Sequence, residues 1–234
     1  MIVAVTGGKG GVGKSTVALN LAHELDGVVV DGDLTTADLP RGGSGPDLHD
    51  VLADRADPLE AVDRHGPVRL LPCGRTLSGA RAADLSMFPL VVRRLEREYG
   101  RVVIDCPAGL ARDVGRQLAS AHVAVLVTTP TEPALADAVR TRRVALDLET
   151  PVAAVALNRT AGAVTDGVTE RIERTVSAPV LSLEERSVIA DAQRQGRPIA
   201  AVAPDCPAVD AVCTLARRLE RCRTHRDDRI DAHD

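Results

Sequence analysis

The chain has 234 residues, 44% hydrophobic and 26% charged, which suits one compact domain and leaves no room for two ordinary enzyme domains. Tyr99 and Phe88 are its only aromatic residues, so modules that stack single-stranded bases on aromatic side chains are excluded. The net charge of −4 gives no global pull towards nucleic acid or anionic lipid, and no run of about 18 apolar residues exists to span a bilayer.

Apolar Val/Ile runs predict strands at Ile2–Thr6, Val28–Asp31, Val68–Leu71, Val102–Asp105, Val123–Thr128, Val152–Leu157 and Val180–Leu183. Most are continuous rather than alternating, as parallel strands covered on both faces require. Helical patterns fill the intervals at Lys14–Leu25, Leu48–Ala53, Met87–Tyr99, Ala111–Ala119, Pro133–Leu148, Asp166–Val176, Glu184–Gln195 and Ala208–Arg223. The alternation predicts a doubly wound, mostly parallel α/β sheet flanked by helices on both faces. Residues 1–223 form its single domain. Arg41-Gly-Gly-Ser-Gly-Pro46 reads as a flexible loop, and residues 224–234 as a polar, disordered tail. No secretory signal is expected at the start, where the apolar stretch is short and no basic region precedes it. The five cysteines are odd in number and lack C-x-x-C spacing, which fits small core or surface residues of a reducing cytoplasm.

Positive charge comes from 27 arginines and two lysines, Lys9 and Lys14, six residues apart counted inclusively. A lysine kept in such a chain marks a place for a compact ammonium rather than a planar fork. Both lie in Gly8-Lys9-Gly10-Gly11-Val12-Gly13-Lys14-Ser15, which matches G-x-x-x-x-G-K-[ST] between a strand and a helix. Glycines let successive N–H groups face one anion, and the helix that follows points its positive end at the same place. The reading is a P-loop NTPase fold that binds a nucleotide's phosphates with Mg²⁺, Lys14 bridging the terminal phosphates and Ser15 on the metal. Val28-Val-Val-Asp31-Gly-Asp33 and Val102-Val-Ile-Asp105 end buried strands in acids beside that loop, where Mg²⁺ is held and where burial without a cation or hydrogen bonds is costly.

The string from Lys9 to Thr16 resembles the deviant phosphate loop of the MinD/ParA family. The resemblance covers roughly Met1 to Ala216 and implies roles residue by residue. Lys9 is then the signature lysine that reaches the partner subunit's nucleotide. Gly8, Lys9, Gly10, Gly11, Val12, Gly13, Lys14, Ser15 and Thr16 hold the nucleotide, which the resemblance implies is ATP. Asp33 positions the attacking water, Asp105 is the Walker B acid that holds Mg²⁺ through water, and Asp31 assists the magnesium shell. Lys9, Lys14 and Asp33 form the catalytic set. Asp105-Cys-Pro-Ala-Gly109 resembles switch II, and Leu48-His-Asp-Val-Leu52 the helix after switch I. Asp137, in Thr129–Asp137, is the implied partner of Lys9. Asn158 is implied at the adenine edge, which an amide reads by donating and accepting. No N-K-x-D string offers a guanine pocket. The late segment reads Ser182-Leu183-Glu184-Glu185, without the family's proline, which leaves the base-contacting wall there open.

Implied with the family is an ATP hydrolase that works as an ATP-dependent homodimer in the cytoplasm. One reading is a MinD-like switch that positions a protein partner in cell division or spatial organisation. Another is a ParA-type partition ATPase that binds DNA non-specifically through Arg217, Arg218, Arg221, Arg223, Arg226 and Arg229, a cluster that Asp227, Asp228 and Asp231 dilute. Iron–sulfur carriers share the loop but need paired cysteines, which are not evident. Val209, Val212, Cys213, Ala216 and Leu219 form an i, i+3, i+4 stripe that suits core docking, so autonomous membrane binding is not expected.

Overall fold

The computed structural model describes residues 1–36, 39–40, 43–109, 112–162 and 166–231, with the side chains of 166 and 224–231 outside that description. Its strands are β1 (Ile2–Thr6), β2 (Val28–Asp31), β3 (Asp63–His65), β4 (Val68–Leu71), β5 (Val102–Asp105), β6 (Val123–Thr128), β7 (Val152–Thr160) and β8 (Val180–Glu184). Its helices are α1 (Lys14–Glu24), α2 (Leu48–Leu52), α3 (Leu77–Ala82), α4 (Phe88–Tyr99), α5 (Arg112–Ala119), α6 (Glu132–Asp147), α7 (Asp166–Val176), α8 (Ser187–Arg194) and α9 (Pro207–Asp231). One eight-stranded sheet runs in the order β3-β4-β2-β5-β1-β6-β7-β8. Every pairing is parallel except β3 with β4.

Alternate residues of the central strands feed two opposite cores. Val3, Val5, Val29, Val103, Val125 and Val127 share one core with Val17 and Leu21 of α1 and with Val212, Leu215 and Leu219 of α9. Ile2, Ala4, Val28, Val30, Val102 and Ile104 share the other with Leu48 of α2, with Phe88, Val92 and Leu95 of α4, and with Val114 and Leu118 of α5. Further along that face, Leu126, Val155 and Leu157 pack on Ile172 and Val176 of α7. A fully buried Val, Leu or Phe contributes roughly 1.5–3 kcal/mol, so strands buried on both sides explain the continuous apolar runs. In α4 the buried residues Phe88, Val91, Val92 and Leu95 follow helical spacing, and Gly100 ends the helix at φ 74°.

All the expected strands are present. The structure adds β3, a polar edge strand that Gly66 turns back along β4 at φ 59°, and the short helix α3. It extends the seventh strand through Asn158 to Thr160 and starts α8 at Ser187, because Glu184 completes β8. The last helix continues past the expected end at Arg223 to Asp231. Residues 41 and 42 of the expected flexible loop lie outside the described residues, while the Gly43 N–H donates to Asp63 Oδ2 at 2.6 Å.

β1 lies centrally, with β5 and β6 on its two sides. The chain leaves β1 for β2, beyond β5, and later crosses to β6 on the opposite side. Such a reversal opens a crevice at the carboxyl ends of the strands, where ligands of doubly wound sheets bind.

Candidate functional site

The loop after β1 is shaped by what cannot fit beside it. A Cβ on Gly8 would sit 2.6 Å from Asp137 Cβ of α6, and one on Gly13 would sit 2.1 Å from Asn158 Nδ2. Gly13 also takes φ 98°, which side chains with a Cβ rarely adopt. Val12 is buried and anchors the loop, while Lys9, Gly10 and Gly11 are exposed. α1 then begins at Lys14 with no side-chain cap and no acid in its first turn. The first N–H groups of that helix therefore have no intrahelical partner and point their partial positive charge at the loop's concavity.

The two lysines are placed differently. Lys14 is buried, 8% exposed, with Nζ 3.4 Å from the Lys9 carbonyl oxygen. Lys9 itself stands exposed on the rim. Asp137, expected to pair with it, is instead ion-paired to Arg140 one helical turn along α6. The reason is local: an (i, i+3) arginine on the same helix reaches the carboxylate at no cost in loop ordering.

Asp31 and Asp105 are register partners at the ends of adjacent strands β2 and β5, and both are buried. Asp31 Oδ1 accepts from the Asp33 N–H and Oδ2 from the Leu39 N–H, each at 3.3 Å. This carboxylate thus folds the loop that follows it, a part the sequence reading did not include. Asp33 is half-buried, and its Oδ1 accepts from Thr35 N (3.1 Å), Thr35 Oγ1 (2.9 Å) and Thr36 N (2.8 Å) in an Asx turn. Beside Asp105, burial pushes the Cys106 thiol far up, the Asp105 charge adds to this, and the Lys14 ammonium works against it.

Asn158 reaches the site from β7, but its Nδ2 donates to the Val12 carbonyl at 2.9 Å. The amide braces the phosphate loop from beneath rather than standing clear of it. Arg159, next in the chain, takes φ 56° where the pairing of β7 with β8 shifts register. Around the late segment, Arg186, Ser187, Val188, Asp205, Cys206 and Pro207 line a hollow of about 470 Å³.

Two residues escaped the sequence reading. Gln117 of α5 is fully buried and its Nε2 donates to the Gly32 carbonyl at 2.7 Å. His49 of α2 is buried with Nε2 3.1 Å from the Leu34 carbonyl oxygen and 3.4 Å from Cys73 Sγ. A carbonyl only accepts, so Nε2 carries the proton. Both brace the segment around Asp33, Gln117 from 85 residues away and His49 from the next helix, and a polar residue in a helical pattern gives no signal of that.

The donor set fits Mg²⁺ and a nucleotide. Mg²⁺ keeps several waters and takes one or two carboxylates plus phosphate oxygens, and the buried register pair Asp31 and Asp105 supplies that number. The glycine loop, the uncapped helix start and buried Lys14 supply a phosphate cradle.

The family model for the CobQ/CobB/MinD/ParA nucleotide binding domain matches residues 3–199. An uncharacterised ATP-binding protein of Methanocaldococcus jannaschii is 31% identical, over 98% of this chain and 92% of its own length. The crystal structure of Pyrococcus furiosus cell division ATPase MinD is similar at TM-score 0.85 and 30% identity, covering 94% of this chain and 98% of that one. The septum site-determining protein MinD of Pyrococcus horikoshii, complexed with Mg-ADP, is similar at 0.85 and 29%, covering 95% and 96%. With its central strand, glycine loop and strand-end acids in place, this chain belongs to the CobQ/CobB/MinD/ParA family of nucleotide-binding ATPase domains.

Proposed function

We propose that this chain is a MinD-like ATPase in which Mg-ATP joins two copies, slow hydrolysis separates them, and the joined state positions a protein partner in the cell. The contrast between the two lysines carries the reading. Lys14 is turned into its own loop, whereas Lys9 is exposed on the rim and makes no contribution to that loop through its side chain. A cation presented outward beside a phosphate cradle is suited to act in trans, as an arginine finger does. Lys14 binds the terminal phosphates, the loop N–H groups orient them, and Asp33 holds the attacking water. Ser15, Asp31 and Asp105 would hold Mg²⁺, which when bound offsets phosphate charge. Asn158 steadies the loop through Val12, and its amide oxygen is the group this reading assigns to the base.

The ParA-type alternative needs a free basic surface. Arg218 of α9 instead donates to the Ala153 carbonyl at 2.7 Å, and Glu220 pairs with both Arg101 and Arg223. Those contacts favour the MinD-like reading over DNA binding.

Analytical ultracentrifugation with and without Mg-ATP tests it. Wild type is expected to dimerise with ATP, Lys9→Ala to bind ATP yet stay monomeric, and Asp33→Ala to accumulate the dimer. Wild type and Asp33→Ala both monomeric at about 10–50 μM, a weak range for specific association, would overturn the reading.

A further inference from the structure

The chain enters Asp33 through one peptide unit, Gly32–Asp33, and that unit is gripped at both ends. Its carbonyl, on Gly32, accepts from Gln117 Nε2 at 2.7 Å, and its N–H, on Asp33, donates to Asp31 Oδ1 at 3.3 Å. The preceding N–H, of Gly32, donates to the Asp105 carbonyl at 3.0 Å. Gln117 is fully buried, and its Oε1 makes no hydrogen bond. That oxygen lies against Gly32 instead: a Cβ at this position would meet Gln117 Oε1 at 2.7 Å and the Asp105 carbonyl oxygen at 2.8 Å. The amide group lies so close to Gly32 that the peptide cannot rotate without losing the bond.

We propose that Gln117 is the positioning residue for Asp33, fixing the peptide that carries it and tying it to the segment after Asp105. Gln117 sits on α5, the first helix after Asp105-Cys-Pro-Ala-Gly109. Any displacement of α5 that accompanies nucleotide binding is thereby passed to Asp33 through a single hydrogen bond. Asp33 thus takes its position from two elements at once, β2 through Asp31 and α5 through Gln117. The hydrolytic consequence rests on the ATPase reading above, whereas the mechanical link does not.

The test uses the full chain. Gln117→Met keeps the volume and removes the donor. It is expected to bind ATP within about threefold of wild type, because the loop contacts are untouched, and to lose turnover by roughly tenfold to a hundredfold. Without nucleotide, hydrogen exchange at the Asp33, Thr35 and Thr36 amides is expected to quicken while Val28–Val30 stay protected. Gln117→Glu gives an independent readout. Its protonated acid donates to the Gly32 carbonyl and its ionised form repels it, so turnover should fall as pH rises through that ionisation, a step wild type lacks. Wild-type turnover together with wild-type exchange in Gln117→Met would overturn the proposal. If that variant does not fold, a Gln117→Glu profile parallel to wild type overturns it. If wild type hydrolyses no ATP, the ATPase reading falls and the exchange comparison alone decides the link.

Discussion

Lys14 and Lys9 carry the same charge in one loop, and burial separates their work. Lys14 has its stem packed into the site and its ammonium only loosely held, 3.4 Å from a carbonyl. Removing it should therefore leave the fold intact and take away a charged hydrogen bond to the ligand. Calorimetry on Lys14→Ala is expected to show ATP affinity reduced at least about tenfold, what a hydrogen bond to a charged group is worth, with an unchanged melting temperature. Undiminished binding would remove the phosphate-loop assignment. Gly13 is governed by space and by backbone conformation together. At φ 98° a side chain costs about 1–3 kcal/mol, and its Cβ would also overlap Asn158 Nδ2. Gly13→Ala should lower both stability and ATP affinity. Asn158→Ala removes the overlapping atom along with the brace on Val12. The double variant is accordingly expected to be less destabilised in urea unfolding than the two single effects added together; strict additivity would show that the two residues do not meet.

At the scale of elements, α9 is fastened by its apolar stripe and by one carboxylate. Glu220 is partly buried, which pushes its pKa up, but hydrogen bonds and charge from Arg101 and Arg223 outweigh this and hold it below the ordinary range. A carboxylate with a depressed folded pKa adds stability that is complete above its unfolded pKa and lost as pH falls through the folded one. Urea unfolding between about pH 6 and pH 3 should show wild type losing stability that Glu220→Gln never had, so the two curves converge on acidification. The half-exposed setting limits the gap to under about 1 kcal/mol. Curves that stay parallel would show that the Arg101–Glu220–Arg223 group does not fasten α9. The same elements show what the sequence discloses. Strands buried on both faces are legible because burial forces continuous apolar runs, as in Val102-Val-Ile. β3 was not, since Asp63-Arg-His65 lies on the sheet edge and buries little. α3 was not, since Gly79 is its only buried residue and no apolar stripe marks it. The phosphate loop was legible because its backbone conformation demands glycine locally. The contacts of Gln117 with Gly32 and of Asn158 with Val12 were not legible because the partners lie 85 and 146 residues away, and pairing over that distance leaves no local pattern.

For the whole molecule, the question is what holds it at a place in the cell. A membrane-surface helix needs a wide apolar face free of the protein core, beside a basic face. In α9 the apolar residues Val212, Leu215, Ala216 and Leu219 are already buried against the core that contains β1 and α1. Its outward arginines are partly spent, Arg218 on the Ala153 carbonyl and Arg223 on Glu220. Among the described residues, no helix is long and apolar enough to cross a membrane. The sequence beyond Arg223 alternates Arg with Asp and offers only Ile230 and Ala232 as apolar side chains. At roughly 0.8 kcal/mol per buried CH₂, two such side chains do not hold a protein on a bilayer. Nor does alternating charge attract anionic lipid, which rewards clustered basic residues. Under the proposed function, a protein partner and not these residues then holds the ATP-bound state in place. Flotation with vesicles containing about one-third anionic lipid, with and without Mg-ATP, is expected to leave this chain in the dense fraction. ATP-dependent flotation that vanishes on deleting residues 224–234 would show instead that the end of the chain is a lipid anchor, and that dimerisation doubles its hold.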